Sequence, residues 1–178
     1  MNSGTQQNST DNTKQKSSII FGSDFKMRQQ EISNLFKLDE NFDLLHREVR
    51  IGGRKVSVYS VDGFLPGDTI EKLMQFFYSL KPEDVSNIDK FLENGMPYTE
   101  VDRADKYERV ITSFLAGVTV LFVDGFDEAV LIDCRTYPMR SVAEPWKDGV
   151  LRGSRDGFVE TLVLNAALLR RRIRDTGF

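Results

Sequence analysis

Histidine and cysteine are almost missing from this chain of 178 residues, with one of each, His46 and Cys134. A lone cysteine excludes an internal disulfide framework and fits a reducing setting. Structural zinc needs a full tetrahedral set of His and Cys ligands, so such a site is excluded as well; no metal or cofactor is expected. Long apolar runs are also lacking. The longest, residues 114–123, is broken by Gly117 and Thr119 and reaches about half of the roughly 20 residues that a membrane helix needs. The opening residues are Asn, Ser, Thr, Gln and Lys without an apolar core, so no signal peptide is expected. Nor is there an excess of positive charge: 24 Lys and Arg stand against 27 Asp and Glu, a net charge of −3. A nucleic-acid binder usually carries a basic face, so nucleic acid is not an expected partner.

What is present is the balance of an ordinary globular domain, 40% hydrophobic and 29% charged, large enough for a single core. Residues 1–22 are the exception, polar until Ile19-Ile20-Phe21. They cannot bury enough surface to offset ordering entropy and read as a disordered tail. Residues 23–152 are expected to form an α/β subdomain, and residues 153–178 a linking helix.

Along that subdomain, Asp24 is expected to cap a helix running to about Leu38, with Phe25, Ile32, Leu35 and Phe36 on its inner side. Leu45, Val49 and Ile51 alternate with His46, Glu48 and Arg50 as a half-buried strand. Gly52-Gly53 supplies the positive φ values of a tight hairpin, and residues 55–61 return as its partner. Asp68 and Glu71 have the spacing of a capping box ahead of Ile70, Leu73, Met74 and Phe77. The next helix is expected to start at Pro82 and end before Gly95, with Val85, Ile88, Phe91 and Leu92 inward. A third covers residues 104–116 on the stripe Tyr107, Val110, Ile111, Phe114 and Leu115, closed by Gly117. Residues 118–123 and 129–132 are nearly continuous apolar runs joined by an Asp124-Gly125 turn, the pattern of central strands covered on both faces. The resulting expectation is an α/β fold: a mixed sheet of about four strands in two hairpins, packed by helices, with parallel pairing permitted in the middle and a long C-terminal linking helix.

Catalytic constellations are poorly supported. Cys134 and His46 end separate predicted strands without an oxyanion motif or an orienting acid, and read as a buried thiol and a solvent-facing imidazole. The pairs Asp102/Asp105 and Asp124/Asp127 fall at a helix start and a hairpin tip, where carboxylates cap and turn the chain. Asp124-Gly125-Phe126 matches a kinase metal-binding tripeptide only in letters, since the glycine-rich and catalytic loops are missing. An enzyme is therefore not expected.

Residues 135–174 carry the strongest functional signal. A polar loop holding Arg135, Arg140, Glu144, Trp146 and Arg152 ends in the turn Gly153-Ser154-Arg155-Asp156-Gly157 and feeds a helix that finishes in Arg170, Arg171, Arg172 and Arg174. On a helical wheel Phe158, Leu162, Ala166, Leu169 and Ile173 share a stripe, while Leu164, Ala167 and Leu168 lie elsewhere, so few faces are left for water. A helix apolar nearly all round sits between two bodies. Backbone amides at the turn, beside Arg152 and Arg155, could bind a carboxylate. Competing with that, Ser154 or Asp156 caps the helix, Asp156 and Glu160 complement its dipole, and Arg140, Arg152 and Arg155 pair with Glu144, Asp148 and Glu160. The structural reading is preferred, because it satisfies the charges without a ligand. For the terminal arginines, carboxylates on an adjoining subdomain are preferred to anionic lipid, which would suit a cleanly two-faced helix.

Pro138-Met139-Arg140-Ser141-Val142, Glu144-Pro145, Leu151-Arg152-Gly153, Arg155-Asp156-Gly157-Phe158, Glu160, Asn165 and the run Arg170-Arg171-Arg172-Ile173 closely resemble a block in the A subunits of bacterial spore germinant receptors and the related stage V sporulation proteins. The resemblance extends more weakly back to about Asp43. Ser154 stands where that family usually has proline, and Val159 where threonine is common. What the resemblance implies is a soluble amino-terminal domain, the first of two α/β subdomains, preceding a membrane region in a receptor that triggers germination when nutrients appear. It implies as partners the rest of its own chain, a permease-like B subunit and a lipoprotein C subunit, with the whole receptor in the spore inner membrane and this domain on the cytoplasmic side. Two functions stand side by side: coupling between nutrient detection and a membrane channel, or direct binding of a small nutrient carboxylate. The candidate ligand or interface residues are Arg140, Glu144, Arg152, Gly153, Arg155, Asp156, Gly157, Glu160, Asn165, Arg171 and Arg172.

Overall fold

The computed structural model describes residues 24–94, 96–97, 100–138 and 158–178. Helix α1 (Phe25–Phe36) leads to strands β1 (Leu44–Ile51) and β2 (Arg54–Val61). Helices α2 (Gly67–Ser79) and α3 (Ile88–Asn94) follow, then strand β3 (Val101–Ala104), helix α4 (Tyr107–Leu115), strands β4 (Thr119–Val123) and β5 (Ala129–Ile132), and helix α5 (Leu162–Arg172). The strands form one five-stranded sheet in the order β1-β2-β4-β5-β3, and every neighbouring pair is antiparallel.

Alternate side chains of a strand point to opposite faces, and both faces of this sheet are covered. Val120 and Phe122 join Tyr59 and Leu131 beneath Ile32 and Phe36 of α1 and Val110 and Phe114 of α4. Leu121 and Val123, with Val56, Val58, Val130 and Ile132, pack on Leu73 and Phe77 of α2 and Phe91 of α3. That three-layer arrangement explains the continuous apolar runs: a strand with helices on both sides has no wet face. Stacking of Phe36 on Phe114 at 4.1 Å, with Tyr59 edge-on to Phe36 at 5.8 Å, sets how α1 and α4 meet over the sheet. Asp24 caps α1 as expected, its Oδ1 accepting from the Lys26 and Met27 amides at 2.8 and 3.2 Å. The hairpin turn is also as expected, with Gly52 and Gly53 at φ 51° and 82°.

Several expectations are corrected. The sheet has five strands rather than about four, and it is wholly antiparallel rather than mixed. The added strand, β3, lies at the edge beyond β5, where its charged residues Asp102 and Arg103 can face water. Ala104 therefore ends a strand, and α4 begins at Tyr107. Residues 82–87 turn instead of opening a helix. Lys81 and Asp84 bond each other there, and the Asn87 carbonyl and Oδ1 accept the Phe91 and Lys90 amides to start α3 at Ile88. Asp68 does not cap α2; Pro66 holds that position, and Asp68 pairs with Lys72 in the exposed first turns. Leu35 and Leu45 are exposed, whereas Arg28 takes the inner face of α1, its Nη1 donating to the Phe126 carbonyl at 2.7 Å. The last helix starts at Leu162 rather than near Phe158, and Phe158 and Leu162 of its expected inner stripe are exposed.

Candidate functional site

The segment leaving β5 is fastened to the loops at one end of the sheet. The Thr136 amide donates to the Phe64 carbonyl at 2.7 Å, and the Tyr137 hydroxyl and Arg135 Nη1 donate to the Ala116 carbonyl at 2.8 and 2.9 Å. Ala116 ends α4, so these donors satisfy a carbonyl that the helix leaves open, and the Arg135 charge complements its dipole. Arg135 also pairs with Asp133 at 3.0 Å. Tyr137 stands edge-on to Phe64 with centroids 5.1 Å apart. Phe64 fits there only because residue 117 is glycine: at φ +95° an added Cβ would lie 2.4 Å from the Phe64 ring.

Helix α5 closes over this corner. Its buried residues are Ala166, Ala167 and Arg170, which recur at helical spacing and make one narrow face. Small side chains let the backbone come close to Gly63, where an added Cβ would sit 2.9 Å from Ala167 Cβ and 3.2 Å from Val163. Arg170 is fully buried. Its Nε and Nη2 donate to the two oxygens of Asp43, both at 2.7 Å, as a bidentate pair. Nη2 also donates to Asn41 Oδ1 at 3.0 Å, and Nη1 to the Asp175 carbonyl at 2.7 Å. The Phe178 ring covers the guanidinium at 4.7 Å. Asn41 in turn donates to the carbonyls of Phe36, Lys37 and Thr176.

The expected site residues divide. Arg140, Glu144, Arg152, Gly153, Arg155, Asp156 and Gly157 lie outside the described residues, as do Ser154 and the 1–22 tail. Glu160 is exposed just ahead of α5. Asn165 is a local clasp: its Oδ1 accepts the Val159 amide at 2.7 Å, and its Nδ2 donates to the Val159 carbonyl at 2.6 Å. Arg171 stacks on the Tyr137 ring at 4.5 Å, joined there by Arg135 at 5.4 Å. Arg172 lies on the exposed side of the last turn. Asn165 and Arg171 are thus at opposite ends of α5, roughly 9 Å apart along the axis. Sequence reasoning missed Asn41, Asp43, Gly63, Tyr137 and above all Arg170. The available signal was that Val163, Ala166, Ala167 and Arg170 fall on one side of the wheel.

Cys134 and His46 are not brought together, since β1 and β5 are separated by β2 and β4, roughly 14 Å at the usual strand spacing. Burial pushes the Cys134 thiol above its ordinary pKa, opposite to what a nucleophile requires. A groove of about 320 Å³ runs beside β3, lined in part by Glu100, Asp102, Arg109 and Asp133. Its charges are largely matched internally, Asp102 by Arg109 and Asp133 by Arg135.

The family model described as Bacillus/Clostridium GerA spore germination protein matches residues 30–178. Stage V sporulation protein AF of Bacillus subtilis is 32% identical over 149 residues, covering 83% of this chain and 30% of that protein. Spore germination protein KA of the same organism is 29% identical over 140 residues, 75% of this chain and 25% of that protein. The chain thus spans about 30% or less of the length of these relatives. In fold it is similar to the crystal structure of the N-terminal domain of the A subunit of the Bacillus megaterium spore germinant receptor GerK3. That match has a TM-score of 0.58 at 17% identity and covers 89% of this chain and 58% of that one. A match over residues 30–178, on an α/β fold shared with a germinant receptor domain, shows that the chain belongs to the GerA family of spore germination proteins.

Proposed function

We propose that this chain is the soluble coupling domain of a nutrient germinant receptor, and that it acts by contact with other parts of the receptor rather than by binding the nutrient. The observation that carries this reading is the division of α5. One face is locked to the sheet through Ala166, Ala167 and Arg170. The segment leading into it and its first turn present Phe158 at 67% and Leu162 at 69% exposure, with Val159 and Leu164 also exposed. Asn165 holds Val159 against the first turn, so these apolar groups are offered on an ordered frame. Single exposed apolar residues are ordinary, whereas a cluster of this kind marks a contact surface.

The contacts would be the remainder of the same polypeptide and the permease-like and lipoprotein subunits, with the assembled receptor at the spore inner membrane and this domain on its cytoplasmic side. Arg171, Arg172 and Glu160 would lie at the rim of that contact. Arg140, Glu144, Arg152, Gly153, Arg155, Asp156 and Gly157 precede it in sequence and are proposed to join the same contact.

Leu162→Glu in the full-length receptor tests the proposal. The isolated chain should keep its thermal transition, because Leu162 is exposed, while spores carrying the variant should lose nutrient-triggered germination. Unimpaired germination would sink the coupling role of this face. In parallel, an amide chemical-shift titration with amino acids, sugars and potassium salts should leave the spectrum unchanged. Saturable shifts abolished by Arg155→Ala would instead establish a carboxylate-binding module.

A further inference from the structure

Two side chains, Asn41 and Arg170, hold four separate stretches of chain at one point. Asn41 Nδ2 donates to the Phe36 and Lys37 carbonyls, tying down the end of α1, where Lys37 takes a left-handed φ of 50°. The same amide group donates to the Thr176 carbonyl at 3.0 Å. Arg170 of α5 meets Asp43 at the entry to β1, and reaches the Asp175 carbonyl at 2.7 Å and the Phe178 main-chain oxygen at 3.3 Å. Asp175 Oδ1 accepts the Gly177 amide at 2.7 Å, bending the segment back on itself. Residues 173–178 are therefore not a loose end following a helix. The carbonyls of Asp175, Thr176 and Phe178 are claimed by the buried side chains of Asn41 and Arg170, and the Phe178 ring covers the guanidinium.

We propose that the Asn41–Asp43–Arg170 cluster is a rigid joint: it fixes the direction of the chain beyond α5 relative to the sheet and carries displacement of residues 175–178 directly into the end of α1 and the start of β1. The proposal rests on the coupling reading and supplies its mechanical step. The physical warrant is that the connection runs through directional bonds, buried at Asp43 and Asn41 and part-buried at the 175–178 carbonyls, with no slack. Arg170 has three acceptors spread around Nη2 and one each at Nε and Nη1, so a shift of the 175–178 carbonyls cannot be absorbed by rotating the guanidinium without breaking its pair with Asp43. A coupling of this kind must be reciprocal.

Reciprocity is the test, and it can be made on this chain by amide hydrogen exchange read residue by residue. Asn41→Ala should raise exchange at Gly177 and Phe178 about tenfold, the equivalent of about 1.4 kcal/mol. Phe178→Ala, a partly exposed position whose truncation leaves the core intact, should raise exchange at Asn41 and Leu44 by a comparable factor while α2 and β4 are unchanged. The joint is refuted if residues 175–178 already exchange at the unprotected rate in the wild-type chain, or if each variant affects only its own side. Germination by Leu162→Glu, set beside these exchange data, separates the two readings. Loss of germination by Leu162→Glu together with one-sided exchange effects would retain the contact surface and discard the joint.

Discussion

Removing Arg170 should destabilise the fold more than any other single surface-helix substitution, because its partner cannot follow it into water. Asp43 is buried beside it, and an uncompensated buried carboxylate left by loss of its partner costs about 3–5 kcal/mol. Arg170→Met keeps the stem volume and removes only the charge and donors, so the loss reads on the ion pair rather than on packing. For a domain of this size the expected fall in Tm is about 6–20 °C, and urea unfolding should show the midpoint move without a change in slope. Asp43→Leu should cost about as much, since it strands the guanidinium. The double variant Asp43→Leu/Arg170→Met should recover most of the loss, because replacing both charges by apolar groups of similar size is close to neutral. Urea denaturation of the four proteins gives the coupling directly. Losses below about 1 kcal/mol for both single variants, or strict additivity in the double variant, would refute the claim that the bond network around Arg170 is closed and dry.

Three further outcomes follow from particular positions. Gly63→Ala should cost about 2–4 kcal/mol, from positive-φ strain plus collision with Ala167. Gly53→Ala, at a similar φ with open space around it, should cost only about 1–2 kcal/mol; equal losses in urea unfolding would mean that Gly63 is not a close-approach site. Burial holds the His46 imidazole below its ordinary pKa, so the folded state favours the neutral ring. That contribution is complete above about pH 6.5 and is lost as pH falls through the depressed value. Wild-type stability should decline as pH falls below about 7 with a slope that His46→Gln removes, and identical slopes would refute it. Burial pushes the Tyr59 phenol up to about 12, and burial with the Glu31 hydrogen bond at 2.5 Å pushes Tyr107 up too. Their contribution is present below about pH 10 and is lost as pH rises through the raised values. An ultraviolet titration should therefore leave at least two of the five tyrosines un-ionised near pH 11 until unfolding, and complete ionisation below that would refute it.

Much of the layered fold was legible because burial imposes periodicity. The stripe from Tyr107 to Leu115 and the unbroken runs of β4 and β5 describe their surroundings directly, as does Gly52-Gly53. Strand β3 was not legible. A four-residue edge strand needs only one covered face, so Val101-Asp102-Arg103-Ala104 shows no pattern, and Asp102 with Asp105 just beyond it mimics a helix start. The start at Pro82 failed for a related reason: the residues after it suit a turn closed by Asp84 and Asn87 as well as a helix, and local bonds decided it. At the site, Arg171 and Asn165 could be named from sequence but not placed. Arg170 was hidden among four arginines in five residues, and only its long-range partners Asn41 and Asp43 distinguish it from the others.

Those partners also explain how a helix can be placed accurately with little apolar surface fully buried. Two buried alanines remove little apolar surface, worth about 1–2 kcal/mol together, and a closed ion pair is close to neutral against its desolvation. The fully buried apolar contact of α5 is therefore small, and polar bonds set its position. Misplacement, by contrast, is steeply penalised. A slip of one turn, about 5.4 Å, would set Asp43 against Ala166, or would require Arg174, which lies beyond the end of the helix. A small apolar contact with a sharp register gives an element that holds one position, so that a load applied at the exposed Phe158 and Leu162 is passed to Asp43 and Asn41 rather than absorbed by sliding. A larger apolar interface alone would have tolerated neighbouring positions, and a wholly solvated arginine would have left α5 without a defined one.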